Sequence, residues 1–317
     1  MIARRLAWFT TPMGRKVVFA GVFTAGMSFM SINYFPNTFF LDDFREFMQL
    51  YRHGLAVPIP EDVLKRFQVV MDDMKVSSNE RSLIKPFTVY GFDTFHAGST
   101  YTKQGAIVGI PSFFHYSSVD QVDKTVIKVS GEPVAWSTKE GQQFLDSLIL
   151  SDAAQKFAIG CEVAYVRTPY VYLNTLYPFA ALSLVYTIAQ NLNRKLHMEK
   201  QPQAIRGVVY SVLAIFGVGL WAVLKDVTST HYEKKCDEEV SSLSETYAKG
   251  GLEFYSKILQ RNIALRSLLG KKGKKLYSVS GNRQYFIRQK SLPLINRKLF
   301  LENQLAALQK RTEAAEV

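Results

Sequence analysis

A chain of 317 residues is long enough for one or two ordinary domains, and its two cysteines exclude a disulfide-stapled scaffold. A hydrophobic content of 47% lies within the soluble range, and a net charge of +12 is not in itself a sign of nucleic-acid reading, so bulk numbers assign no class. Distribution does: three stretches lack any charged side chain over the roughly 20 residues a helix needs to cross a hydrocarbon core.

Residues 1–16 form a basic flank that carries Arg4, Arg5, Arg15 and Lys16, and no acid precedes Asp42. An acid-free, arginine-bearing start has the character of a mitochondrial targeting segment. A secretory signal is the competing reading, but no small-residue cleavage site is clean and the apolar run is long. The first transmembrane helix is expected at residues 17–36, ended by Asn33, Pro36 and Asn37.

The extramembrane region 37–169 reads as α+β. Phe44, Phe47, Met48 and Tyr51 recur at helical spacing over Leu41–Arg52, and Pro60 is well placed to open a second helix to Met74. Strand-like runs follow at Phe87–Phe95, Gly105–Phe114 and Thr125–Val129, which predict a small, mostly antiparallel sheet. Ser137 and Glu140 have the spacing of a capping box for a helix to about Ile149, and Ser151 opens another towards the membrane.

Further transmembrane helices are expected at 170–190 and 207–224, joined as a hairpin by the polar loop from Gln190. Tyr170, Tyr172, Tyr177, Tyr210 and Trp221 fall near span ends, where amphipathic rings favour the lipid interface. Small residues at Gly21 and Ala25, at Gly207 and Ser211, and at Gly217 mark candidate helix-packing positions. The basic region 228–317 is largely helical, with one long pattern from Ser229 to Leu269 that Gly250 and Gly251 are expected to interrupt. Its apolar residues need a partner surface. The sheet of the first region is the intramolecular candidate; Leu252, Phe254, Tyr255, Ile258, Leu259, Leu265 and Leu268 are the candidate partner-binding residues.

An odd number of spans puts both extramembrane regions in one compartment, where they can pack as a single discontinuous domain. The positive flanks, 1–16 and the loop bearing Arg194, Lys195, Lys200 and Arg206, then share the other side, which favours the inner, matrix face for them. The excess of lysine and arginine in the tail pulls against this orientation, although most of that charge lies far from the membrane.

Little points to catalysis. The run from Gly270 to Lys275 lacks the spacing and the hydroxyl of a phosphate-cradling loop, so nucleotide binding is rejected. A solvated helix end explains it most simply; contact of Lys271, Lys272, Lys274 and Lys275 with anionic lipid headgroups or RNA phosphate is the alternative. The five histidines show no ligand spacing, Cys161 reads as core, and the acids around Cys236 oppose thiolate formation. No cofactor or metal is expected.

Lys85-Pro-Phe-Thr88, Gly105-Ala-Ile-Val-Gly-Ile-Pro111, Ala154-Gln-Lys-Phe-Ala158 and, longest, Gly250-Gly-Leu-Glu-Phe-Tyr-Ser-Lys-Ile-Leu259 resemble segments of the transmembrane protein 177 family. The similarity continues through Asn262–Gly270 and Lys274–Tyr277 to Ser280-Gly-Asn282. The resemblance implies a multi-pass mitochondrial inner-membrane protein in cytochrome c oxidase biogenesis. Membrane lipid, oxidase subunit 2 and the dedicated chaperone of that subunit are the implied partners. It implies no enzyme activity and no cofactor; no small-molecule substrate is expected, and nucleic acid stays the disfavoured alternative.

Overall fold

The computed structural model describes residues 11–315; Arg4 and Arg5 of the basic flank lie outside them. Helix α1 (Pro12–Tyr34) opens on a Thr11 cap, whose hydroxyl accepts from the Gly14 amide at 3.1 Å, with Pro12 at the position where a missing N–H is harmless. It is one of three membrane-length apolar helices; the others are α7 (Tyr170–Lys195) and α8 (Gln203–Ser241). Helix α7 lies between α1 and α8. All three leave most of their apolar surface uncovered, as lipid-facing helices do.

Helix α8 runs for 39 residues, about 58 Å, twice what the bilayer core requires. Its second half leaves the membrane as one rigid rod and enters the extramembrane domain. The expected helix from Ser229 to Leu269 is therefore two: α8 ends at Ser241, and α9 (Glu245–Leu268) begins after a Ser244 cap. Gly250 and Gly251 do not interrupt it. A Cβ on Gly250 would stand 2.3 Å from the Ala153 carbonyl oxygen, and one on Gly251 2.6 Å from the Phe157 ring. The glycine pair lets α9 cross against α6 (Asp152–Val166) almost backbone to backbone.

The segment between spans one and two begins with α2 (Leu41–Met48), shorter than the periodicity predicts. His53 and Gly54, both at positive φ, turn the chain into a hairpin of β1 (Tyr51–Arg52) and β2 (Leu55–Ala56). Then come α3 (Glu61–Asp73), entered from Pro60, and α4 (Ser78–Leu83). The capping box of this region is at Ser77 and Glu80; Ser137 caps nothing, and Thr138 instead accepts from the Gly141 amide to open α5 (Lys139–Asp146).

The sheet corrects the antiparallel expectation. Strands β3 (Ile84–Val89), β4 (Phe95–Gly98) and β5 (Ala106–Pro111) lie in the order β3-β5-β4, with β3 and β5 parallel and β4 and β5 antiparallel. The run Phe87–Phe95 is not one strand, because its middle leaves the sheet to carry the chain past the central position. Strand β5 is buried throughout, which explains its unbroken apolar text. Of Thr125–Val129 only β6 (Lys128–Val129) pairs, with β7 (Glu132–Pro133).

Helix α6 is the centre of the extramembrane domain and is buried on nearly every face. It is flanked by α3, α8 and α9, and α9 also carries α5, the short α10 (Gly270–Leu276) and the C-terminal α11 (Leu294–Ala315). One hydrophobic cluster joins Phe67, Val70, Phe144 and Phe157 from before the second span with Val240, Tyr255 and Leu301 from after the third. The two extramembrane regions therefore pack as one body.

Candidate functional site

The halves of the domain meet at a buried polar junction. Glu162, on α6, accepts from the Thr94 hydroxyl, and its second oxygen lies 2.5 Å from His96 Nδ1. Cys161 donates to Asp237 at 3.6 Å, and Tyr255 donates to the same carboxylate at 2.7 Å. Arg297, from α11, grips Asp237 with two bonds of 2.7 Å and stacks over the Tyr255 ring at 4.6 Å. Nearby, Arg261 and Arg283 share the Asp93 carboxylate. A cavity of about 200 Å³ lies between His96, Cys161, Glu162, Glu233, Cys236 and Arg297.

Burial by itself would raise the Glu162 pKa, but the His96 ring and the Thr94 hydroxyl hold it below the ordinary glutamate value. Burial works to lower that of Arg297, and the Asp237 charge overrides it and holds the guanidinium firmly protonated. Burial, with Asp237 adding to it, pushes the Cys161 thiol up and away from thiolate formation. The junction thus supplies paired charges and no activated nucleophile. Among the described residues no group of three or more His, Cys, Asp or Glu side chains could hold a metal ion. Chemically the arrangement can clasp the two halves of the domain.

In the membrane, Gly217 marks a close approach, since a Cβ there would meet the Val185 side chain at 2.7 Å. Gly21 and Gly207 have nothing within 4 Å, Ser211 is exposed, and Ala25 is half-buried. These candidate packing positions do not come together. The position that does, Gly26, stands where a Cβ would be 2.6 Å from Phe179; one register step from Ala25, it was hidden by the abundance of small residues in the span. Phe23 packs edge-on to Phe179, and Phe29 meets Trp221.

The apolar residues of α9 correct another expectation. Tyr255, Leu259 and Leu265 are buried, and Leu252, Phe254, Ile258 and Leu268 are half-covered. Tyr255 and Leu265 belong to the main core, and Phe254, Ile258 and Leu268 pack on it. Their partner is the protein itself, chiefly α6 and α11 and not the sheet. Lys271, Lys272, Lys274 and Lys275 are exposed on α10, after Gly270 at φ +54° ends the preceding helix; Lys272 donates to Ser130 at 3.3 Å.

A free apolar surface is found elsewhere. The loop from Tyr285 to Ser291, closed by a 2.9 Å bond between their hydroxyls, presents Phe286 at 99% and Ile287 at 86% exposure. Its Leu292 amide donates to Glu233 at 2.7 Å, and its Arg288 pairs with Asp226 at 3.3 Å. Asp226 is about 10 Å nearer the membrane along α8 than Glu233. The loop therefore descends the rod, and its apolar tip adjoins the turn where the third span leaves the bilayer.

A three-span anchor that gathers the chain on either side of its last two spans into one clasped helical domain defines a multi-pass membrane protein. Known proteins are similar to this chain in sequence. The family model for transmembrane protein 177 matches residues 74–297, a range that encloses the whole polar junction. Transmembrane protein 177 of Rattus norvegicus and that of Homo sapiens are each 35% identical over 79% of this chain and 80% of the relative. That of Danio rerio is 32% identical over 80% of this chain and 81% of the relative. No solved structure matches. The chain belongs to the transmembrane protein 177 family, and it is a multi-pass protein of the mitochondrial inner membrane linked to cytochrome c oxidase biogenesis.

Proposed function

We propose that the chain is a non-enzymatic assembly and stabilising factor that supports newly made oxidase subunit 2 and the membrane chaperone of that subunit. The observation that carries this reading is the Phe286–Ile287 tip. Two large apolar side chains left in water are costly, roughly 1.5–3 kcal/mol each relative to burial, so a partner surface is the natural use for them. Held at the level of the bilayer exit, the tip is placed to meet a client where its chain emerges from lipid. Lys290, exposed beside it, would complement an acidic client segment.

The test is co-purification of the tagged full chain from mitochondria in mild detergent. Phe286→Ser with Ile287→Ser is expected to reduce recovery of subunit 2 and its chaperone by about tenfold or more, on the scale of one lost hot spot, with the fold intact. Undiminished recovery would remove the loop from the reading. The exposure of Lys271, Lys272, Lys274 and Lys275 supports a second reading, contact with phosphate groups of lipid or RNA. Replacing all four by Gln should then abolish crosslinking to those ligands; unchanged crosslinking would dismiss it.

A further inference from the structure

On the membrane face opposite the domain, the ends of the three spans surround a cavity of about 600 Å³. Arg15 comes from the start of α1, Arg194 from the end of α7 and Arg206 from the start of α8, and His197 joins them. Glu199 is the one acid among the lining residues, and at 3.4 Å it pairs with His197 and not with an arginine. Among the described residues none of the three arginines has an ion pair, although they converge from three helices. Three guanidinium groups thus border one cavity, and a bound anion would find all three within it.

This cavity adjoins a second one of opposite character. Ala189 and Tyr210 line both, and the second runs between α7 and α8 past Leu182, Val185, Leu213, Ala214 and Gly217 to Phe29 and Trp221, with about 310 Å³ of almost wholly apolar space. From Tyr210 to Trp221 the helix rises about 16 Å, close to half of a hydrocarbon core roughly 30 Å thick. The groove thus has the length of one leaflet. Tyr210 stands at the joint, its hydroxyl donating to Asn193 at 2.7 Å.

We propose that the two cavities together bind one anionic phospholipid of the surrounding bilayer, with its phosphate among Arg15, Arg194 and Arg206 and an acyl chain along the groove to Trp221. The apolar groove adjoining the arginines at Ala189 and Tyr210 favours a lipid over a free anion, because only a lipid has a chain to lay along it. Guanidinium groups suit this role, as they bind phosphate oxygens in pairs and are weakly hydrated. The lipid would fill the gap between spans two and three and hold α1 against them at its charged end. The site is separate from the four lysines of α10.

The test uses the full chain, delipidated in mild detergent and titrated with phosphatidylglycerol, phosphatidylcholine or inorganic phosphate, with native mass spectrometry as the readout. One phosphatidylglycerol should be retained at least about tenfold more tightly than phosphatidylcholine, equivalent to about 1.4 kcal/mol. Inorganic phosphate should neither be retained nor displace the lipid. Changing all three arginines to Gln should bring phosphatidylglycerol down to the phosphatidylcholine level, and each single change should give part of that loss should the triple variant misfold. Ala189→Trp, at the joint of the cavities, should weaken both lipids with the arginines intact. No preference for phosphatidylglycerol in the unaltered chain, or a preference that survives every arginine change, would overturn the proposal; displacement by inorganic phosphate would reduce the site to a simple anion site and overturn it too.

Discussion

Arg297 fastens the last helix of the chain to the rod that leaves the membrane. Its partner Asp237 is only 2% exposed, so the pair is buried, and loss of either member leaves an uncompensated charge. Arg297→Ala is expected to cost about 3–5 kcal/mol of stability, whereas Asp237→Asn with Arg297→Met should come within about 1 kcal/mol of the original. Thermal unfolding in detergent measures both. Glu162 gives the junction a pH signature. Its pKa is lowered in the folded protein, so its contribution is present above the unfolded value, near 4.5, and is lost as pH falls through the folded one. Glu162→Gln should therefore be clearly less stable than the original at about pH 7, and the gap should narrow towards about pH 3.5. A gap that widened in acid would contradict the assigned direction. The buried pairs that make this junction were not legible in the sequence. His96 and Glu162, like Asp237 and Arg297, are sixty or more positions apart; spacing finds ligands on one element and is blind to pairs made by tertiary packing.

At the scale of elements, Gly250 tests why α9 and α6 cross so closely. In an exposed helix, Gly→Ala adds about 1 kcal/mol of stability. Here the new Cβ meets the Ala153 carbonyl oxygen at 2.3 Å, and such overpacking costs about 1–3 kcal/mol, so Gly250→Ala should destabilise. Gly21→Ala, in a span with nothing within 4 Å, should be neutral or stabilising in the same melt. The three spans, Pro60 as a helix start and Ser151 as a cap were legible because hydropathy and capping are local. The glycine pair was misread for the converse reason: in sequence a helix breaker and a close-packing site look the same, and only the partner helix distinguishes them. The antiparallel expectation for the sheet failed on the same ground, since the path of residues 90–94 decides whether neighbouring strands run parallel. At the span ends, Arg194 and Arg206 read only as orientation charges, because their convergence with Arg15 depends on how three helices meet.

For the whole molecule, the odd span count and the polar junction have one consequence: the domain exists only when the chain on both sides of the membrane hairpin is folded together. Spans two and three are the hinge pin of that arrangement, and the loop at Phe286 and Ile287 belongs to the part of the chain made after them. A surface held by the stretch of α8 that bears Asp226 and Glu233 would suit the proposed role of holding a client in place, and it needs no reactive group. The decisive measurement is the half-life of newly made, pulse-labelled oxidase subunit 2 in mitochondria that lack the chain, compared with mitochondria given back the original or the Phe286→Ser, Ile287→Ser form. A shortened half-life restored by the original and not by the altered loop is expected; a normal half-life without the chain would contradict the function assigned to it.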